Sequence, residues 1–532
     1  MSDETTVWMA IALFLIAVLA LGYSGVSSTR TLPGYQLANR RLAGSVAGLS
    51  AGGSDASWWL VLLLPAAAYA SGLQAAWIPI GLLLGAWFAW TYVAPRLRSY
   101  APVAGEAITL PTFIGRRTHD RSHLLRAVAA LLILVLLTVY LAAGLQIGGA
   151  FFAASFGTGD LLGLLAVAAV ITVAVLFGGF RGVANLHVLL ALLVAGALVL
   201  VGTRAVDELG GWDTTTQLVT SVHPGAMSLA AGGVGAGLLT ALAWALGYVG
   251  QPHLLVRMMA LRSPRAARAA RRTVLLWMVV AFAGAVLVGL TTLAYFEQSW
   301  RPLNRPEDGV ARLAELLFSP FFGAVLTTGV LAAIMGTVAS QLLLCSSALV
   351  EDLYRLATRS QVPHRRHVAL SRLAVLVVAA SATWLAHRGL LPALDLVTLA
   401  WAGFAVAFAP IVLLTLFWRG TTSWGALAGL ASGVVSILLW VRTGIDQALH
   451  ELVPAFALTL LIVVLVSRLT QGAGDQVATE FAEMTDRLPR PGLLSRAGTR
   501  LAARAATTLS AAAAAAFPAP STEAGADHEP TR

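Results

Sequence analysis

Thirteen apolar runs of about 20 residues divide this chain, and nothing constrains its fold more. They lie near 7–26, 44–72, 74–95, 125–156, 161–180, 183–203, 227–256, 272–296, 319–350, 368–387, 391–417, 421–441 and 447–467. A helix rises about 1.5 Å per residue, so each run can cross a hydrocarbon core of about 30 Å. Composition agrees. Of 532 residues, 58% are hydrophobic and 11% charged, with mean hydropathy +0.80, whereas soluble domains carry about 25% charge. So few charges cannot cover a water-soluble protein of this size, and the expected class is an all-α integral membrane protein with about 13 transmembrane helices. The first run does not read as a cleaved signal peptide, because Asp3 and Glu4 precede it where a basic segment would stand. The single cysteine, Cys345, excludes a disulfide framework or a Cys-based zinc site.

The net charge is +10, and all 35 basic residues are arginine. In a soluble protein this would suggest nucleic acid; here it marks one membrane face, and no nucleic-acid partner is expected. Loops after odd-numbered runs, together with the C-terminal tail, hold 29 of the 35 arginines. The opposite side has only Arg204, Arg301, Arg305, Arg312, Arg388 and Arg442. Positive residues stay inside, so the N-terminus is expected outside and the C-terminus in the cytoplasm of a plasma membrane. The expected organisation is a leading helix and loop at 1–43, a ten-helix core at 44–418, two helices at 419–468 and a tail at 469–532. The tail passes through an alanine tract, Ala511–Ala516, and its end reads as disordered.

Polar residues interrupt a few of the runs. Run two carries Gly52, Gly53, Ser54, Asp55 and Ser57. A carboxylate within a span is costly and points to function. Backbone unwound at the glycines would present carbonyl oxygens, which suit a hard cation such as Na⁺. The alternative is a helix start capped by Ser54 or Asp55. Run seven contains Trp244-Ala-Leu-Gly-Tyr-Val-Gly-Gln-Pro-His253, a second interrupted helix. Trp244 and Tyr248 share a face there, either as packing or as an apolar wall for a small amphipathic solute.

Runs two and seven stand five apart, the pattern of an inverted-repeat transporter with its site between broken helices. Run nine adds Thr337, Ser340 and Gln341, while Ser346 and Ser347 read as ordinary helix hydroxyls that bond the preceding turn or a neighbouring helix. An enzyme is not expected, since no metalloprotease, nucleophile-elbow or phosphate-loop motif stands in a convincing context.

At these residues the chain resembles the sodium:solute symporter family, over roughly residues 7–485. The Gly-Tyr-Val-Gly-Gln-Pro-His string at 247–253 and Cys-Ser-Ser-Ala-Leu-Val-Glu-Asp-Leu-Tyr at 345–354 carry the resemblance most specifically. It implies a LeuT-type fold, a 5+5 inverted repeat, and Na⁺-coupled uptake of proline or a related small amino acid. It implies cation ligands from the carbonyls of Gly53, Ala56 and Ala333 and from the Thr337 hydroxyl, with Asp55 needed for coupling. Ser57, Tyr140, Trp244, Tyr248 and Pro252 match solute-recognition positions, and Arg40 a cytoplasmic coupling arginine.

The departures from the family pattern are Gly336 in place of a serine, Trp58 in place of a glycine beside the pocket, His187 in place of an aspartate and Leu190 in place of a glutamine. Ser340 or water could replace the lost hydroxyl. Alternatively, Asp55 and His187 could support proton coupling or a different solute. The plain alternative for His187 is a helix-end histidine bonded to backbone. A solute sensor on the same scaffold is a further alternative. The sequence leaves the oligomeric state open.

Overall fold

The computed structural model describes residues 3–298, 303, 305–358, 363–389, 393–443, 452–470 and 474–489. Helices occupy each of the thirteen runs, from Asp3–Tyr23 to Leu452–Leu469, and residues Met1–Leu488 form one compact unit. Among the described residues, nine helical stretches are long and apolar enough to cross a membrane, or ten with the bent pair Val234–Tyr248 and Pro252–Met259. The two longest of the nine exceed the length of two crossings: Trp59–Val103 has 45 residues and Asp160–Glu208 has 49, where about 20 suffice for one. The first joins the end of run two to run three. The second joins runs five and six.

That second stretch bends at Gly179, which has φ +54° and ψ −159°. Side chains avoid this backbone conformation. A Cβ added at Gly179 would also meet the Tyr35 carbonyl oxygen at 2.8 Å. Gly179→Ala is expected to cost about 1–3 kcal/mol, read as a lower unfolding temperature of the purified protein. An unchanged unfolding temperature would show that the bend tolerates a side chain.

Runs two and seven are broken, as expected. In run two the helix Gly44–Asp55 stops, Ala56 and Ser57 lie outside helix, and a π-helical turn at Trp59–Leu63 leads into Leu64–Ser71. The break is not at the glycines. Gly52 and Gly53 stay helical because they allow close approach: a Cβ on Gly52 would meet the Trp277 ring at 2.5 Å, and one on Gly53 the His187 carbonyl oxygen at 2.4 Å. Asp55 therefore ends a helix, and the capping alternative fails. In run seven the two halves bend by 51° between Tyr248 and Pro252. Proline lacks an N–H and restricts the residue before it, which accounts for the restart at Pro252.

Run nine, Pro320–Ser347, packs against Asp160–Glu208 and Leu124–Phe156, while Ala267–Gln298 packs against Asp160–Glu208 and Gly44–Asp55. The site therefore lies where a broken helix meets three long ones, Asp160–Glu208, Ala267–Gln298 and Pro320–Ser347. Several short helices connect the spans, among them Leu110–Arg117, and Asp475–Asp486 follows the last span. This tail helix docks by Phe481, whose ring lies 6.4 Å from that of Tyr100 and 5.3 Å from the Arg419 guanidinium. His119 Nε2 stands 3.2 Å from Glu480 Oε1. The expected disorder at the end of the tail, with the tract Ala511–Ala516, lies outside the described residues.

Candidate functional site

The break in run two positions the site. The Asp55 carbonyl oxygen accepts from the Ser57 backbone N–H at 2.7 Å and from Trp59 Nε1 at 2.9 Å, which pins the unwound turn. The Asp55 carboxylate reaches towards the other broken helix, where His253 Nε2 is 3.7 Å from its Oδ1. Asp55 and His253 thus link the two interruptions. Ser57 Oγ and Trp58 Nε1 are buried beside the break without a hydrogen-bond partner among the described residues. Buried polar groups are rarely left so.

Thr337 lies opposite the break on run nine. Its hydroxyl stands 3.1 Å from the Ser54 carbonyl oxygen and 3.3 Å from that of Ala333. Hydroxyl and carbonyl oxygens converge here from two helices, the donor set a hard cation takes. Among the described residues no group of three His, Cys, Asp or Glu could hold a metal ion. The carbonyl that Thr337 touches on run two is that of Ser54, one residue beyond the expected Gly53. The Gly53 carbonyl oxygen instead packs over Gly336, 2.7 Å from where a Cβ would stand.

The solute candidates gather in part. The Trp244 ring lies 4.4 Å from that of Trp401 and 6.3 Å from that of Trp59. Tyr248 is buried, and its hydroxyl accepts from Trp90 Nε1 at 3.3 Å. Tyr140, also buried, lies near Ser57. Pro252 opens the second half of run seven, preceded by Gln251, whose Nε2 donates to the carbonyls of Gly247 at 3.2 Å and Trp401 at 3.3 Å. Trp59, Trp90 and Trp401 were not singled out from the sequence. Their only signal was aromatic side chains inside apolar runs, which packing produces just as often.

Arg40 is held apart from this centre. Its guanidinium contacts Glu106 Oε2 and donates to the Ala107 carbonyl at 2.7 Å. Burial, with Arg98 nearby, pulls its pKa down to about 10, so it stays charged at neutral pH. Ser347 bonds its own preceding turn at Leu343, and Ser346 bridges to the Ser371 carbonyl on run ten. Both are the ordinary roles expected of them.

His187 sits inside a helix, not at its end, and both ring nitrogens are engaged. Nε2 lies 2.7 Å from the Gly336 carbonyl oxygen, and Nδ1 is 3.3 Å from Arg257 Nη2. A carbonyl only accepts and a guanidinium only donates. These partners select the neutral tautomer with the proton on Nε2.

A family model described as the sodium:solute symporter family matches residues 35–433. The chain is 41% identical over 469 residues to the high-affinity proline transporter PutP of Bacillus subtilis (strain 168), covering 88% of this chain and 99% of the relative. It is 36% identical over 465 residues to the osmoregulated proline transporter OpuE of the same organism, covering 87% and 94%. Against a sodium/proline symporter of Staphylococcus aureus it is 36% identical over 489 residues, covering 90% and 96%. Among solved structures, the substrate-bound outward-open state of a Na⁺-coupled sialic acid symporter matches with TM-score 0.75 at 17% identity, covering 88% of this chain and 98% of that one. That likeness is one of fold.

Proposed function

Because the chain belongs to the sodium:solute symporter family, we propose that it imports proline, or a closely related small amino acid, by symport with Na⁺. The proline transporters among its relatives support the solute, and the sodium/proline symporter supports the ion. The observation that carries the reading is the oxygen cluster where Thr337 meets the end of the broken helix Gly44–Asp55. Na⁺ is cargo here. It binds at the carbonyls of Gly53, Ala56 and Ala333 and at Thr337 Oγ1, with the Ser54 carbonyl in reach. Asp55 supplies the negative charge that favours a cation there. The solute lies across the two interruptions, with its polar end towards Ser57, Tyr140 and the free ends of the helices. Its apolar body lies among Trp58, Trp244, Tyr248 and Pro252.

No covalent step is involved. Filling both sites favours closure, so each ligand raises the affinity for the other. The inward charge of one Na⁺ gains about 2.3 kcal/mol per 100 mV of membrane potential. The arginine distribution supports an outside N-terminus and a cytoplasmic C-terminus, with 44–418 as the moving core and Arg40 acting from the cytoplasmic loop. Proton coupling is disfavoured by the neutral His187 tautomer, since a second proton on Nδ1 would face the Arg257 guanidinium.

Radiolabelled proline uptake into proteoliposomes with imposed gradients tests this. A Na⁺ gradient is expected to drive accumulation at fixed pH. Uptake driven only by a pH gradient would replace sodium with protons, and uptake of another solute but not proline would remove the substrate.

A further inference from the structure

Next to the oxygen cluster lies a second polar network, centred on Arg257. This side chain is 1% exposed, and the acceptors it reaches are neutral. Nε donates to the carbonyl and hydroxyl oxygens of Ser50, both at 3.0 Å, and Nη1 donates to the His253 carbonyl. Nη2 reaches Ser340 Oγ at 2.8 Å and His187 Nδ1 at 3.3 Å. Ser340 in turn bonds Ser54 Oγ at 3.0 Å. The Phe180 ring covers the guanidinium at 5.9 Å.

The network joins parts that a transporter must move past one another. Ser50 and Ser54 belong to the first half of broken run two, and Arg257 to the second half of broken run seven. His187 belongs to Asp160–Glu208, beyond its bend at Gly179, and Ser340 to Pro320–Ser347. In folds of this kind one group of helices rocks against the other around a fixed site, so these bonds span the joint. Their side of the site is the arginine-rich one, cytoplasmic in the orientation proposed above.

Two details tie this joint to the ion. Ser54 takes part in both layers: its carbonyl meets Thr337 and its hydroxyl meets Ser340. His187, for its part, packs closely over residue 336, where glycine leaves it room. A Cβ at that position would stand 3.2 Å from the imidazole Cδ2 and 2.7 Å from the Gly53 carbonyl oxygen. Gly336 and His187 therefore form one packed unit, with the imidazole donating to the carbonyl of the glycine that makes room for it.

We propose that Arg257, Ser340 and His187 form the latch that closes the cytoplasmic path, and that the cation site controls it through Ser54. They are positioning residues, since none of them touches the solute. The proposal rests on Na⁺-coupled transport as read above. Ion bound at Thr337 holds Ser54 against run nine and keeps the latch made. Loss of the ion frees Ser54 and lets the arginine half of run seven swing away.

A cysteine placed at Ala47 reports on this path. Ala47 is fully buried and shares a helix face with Ser50 and Ser54, at spacings of three and seven. In full-length Ala47→Cys protein with Cys345→Ser, maleimide labelling is measured with and without Na⁺, alongside Na⁺-dependent proline uptake. With the latch intact, Na⁺ is expected to slow labelling at least about tenfold. Ser340→Ala and Arg257→Gln are expected to label fast in both conditions. His187→Ala should behave like them, whereas His187→Gln, which keeps a donor for the Gly336 carbonyl, should remain Na⁺-protected.

Gel filtration and circular dichroism identify folded variants, and Ser340→Ala, the smallest change, carries the decision if the others misfold. Na⁺-dependent uptake and Na⁺ protection that persist in Ser340→Ala would overturn the latch while leaving the symport reading intact. Absence of Na⁺-dependent uptake in the latch-intact protein would remove the reading, and the latch with it.

Discussion

Asp55→Asn is expected to lower Na⁺-driven uptake by at least about 100-fold while the protein still folds. Asparagine keeps the size of the side chain, so packing at the break is preserved. What changes is charge. Asp55 is the last residue of Gly44–Asp55, where the helix dipole already places partial negative charge. Its carboxylate adds a full unit in a setting sheltered from bulk water. Two unit charges about 4 Å apart at an effective dielectric of about 20 interact by about 4 kcal/mol. A 100-fold loss, about 2.7 kcal/mol, is thus within what one charge supplies. The measurement is initial uptake rate against Na⁺ concentration, with the greater part of the loss in apparent Na⁺ affinity. Retention of a third or more of wild-type uptake by Asp55→Asn would show that the carboxylate does not serve the ion.

Gly336→Ser, which supplies the hydroxyl that the family resemblance leads one to expect before Thr337, should damage this protein instead of improving it. The new Cβ would stand 2.7 Å from the Gly53 carbonyl oxygen, 3.1 Å from Leu190 Cδ1 and 3.2 Å from His187 Cδ2. A leucine methyl can give way by a few tenths of an ångström, but a helix carbonyl cannot do so without moving Gly44–Asp55 and the break that follows it. Overpacking of this kind costs about 1–3 kcal/mol. Uptake is expected to fall at least about tenfold and the unfolding temperature to drop. Adding His187→Ala relieves the imidazole contact but leaves the Gly53 carbonyl in place, so recovery should be partial. Full activity in Gly336→Ser alone would mean that the two helices are farther apart in the working protein.

The spans and the two interruptions were legible in the sequence because both rest on local signals. Apolar length marks a membrane helix, and Pro252 with its flanking glycines marks the bend in run seven. The exact place of the break in run two was not legible. Its glycines suggested unwinding, yet they serve contacts with Trp277 and His187, and the chain unwinds at Ala56 and Ser57 instead. A glycine's local freedom and its role in close packing look the same in one sequence. Arg257 was read only as one of many cytoplasmic arginines. Its partners Ser50 and Ser340 are 207 and 83 residues away, and nothing local announces that they meet. His187 stood out through the family resemblance, but its tautomer follows from Gly336, 149 residues on. Pairings set by how helices stack have no trace in hydrophobic period.

Because Asp475–Asp486 is the last helix described, its docking sets an order of events during biosynthesis. Leu110–Arg117 leaves the ribosome early, while Phe481, which packs over Tyr100 and beneath the Arg117 and Arg419 guanidinium groups, arrives more than 350 residues later. Until then Tyr100 has the Phe113 ring beside it but not that of Phe481, and His119 lacks its carboxylate. The face that carries Tyr100, His119 and Arg419 is thus completed only after all the spans have been made. A chain cut short before residue 475 would be inserted in the bilayer yet left with an open seam for proteases and chaperones to find.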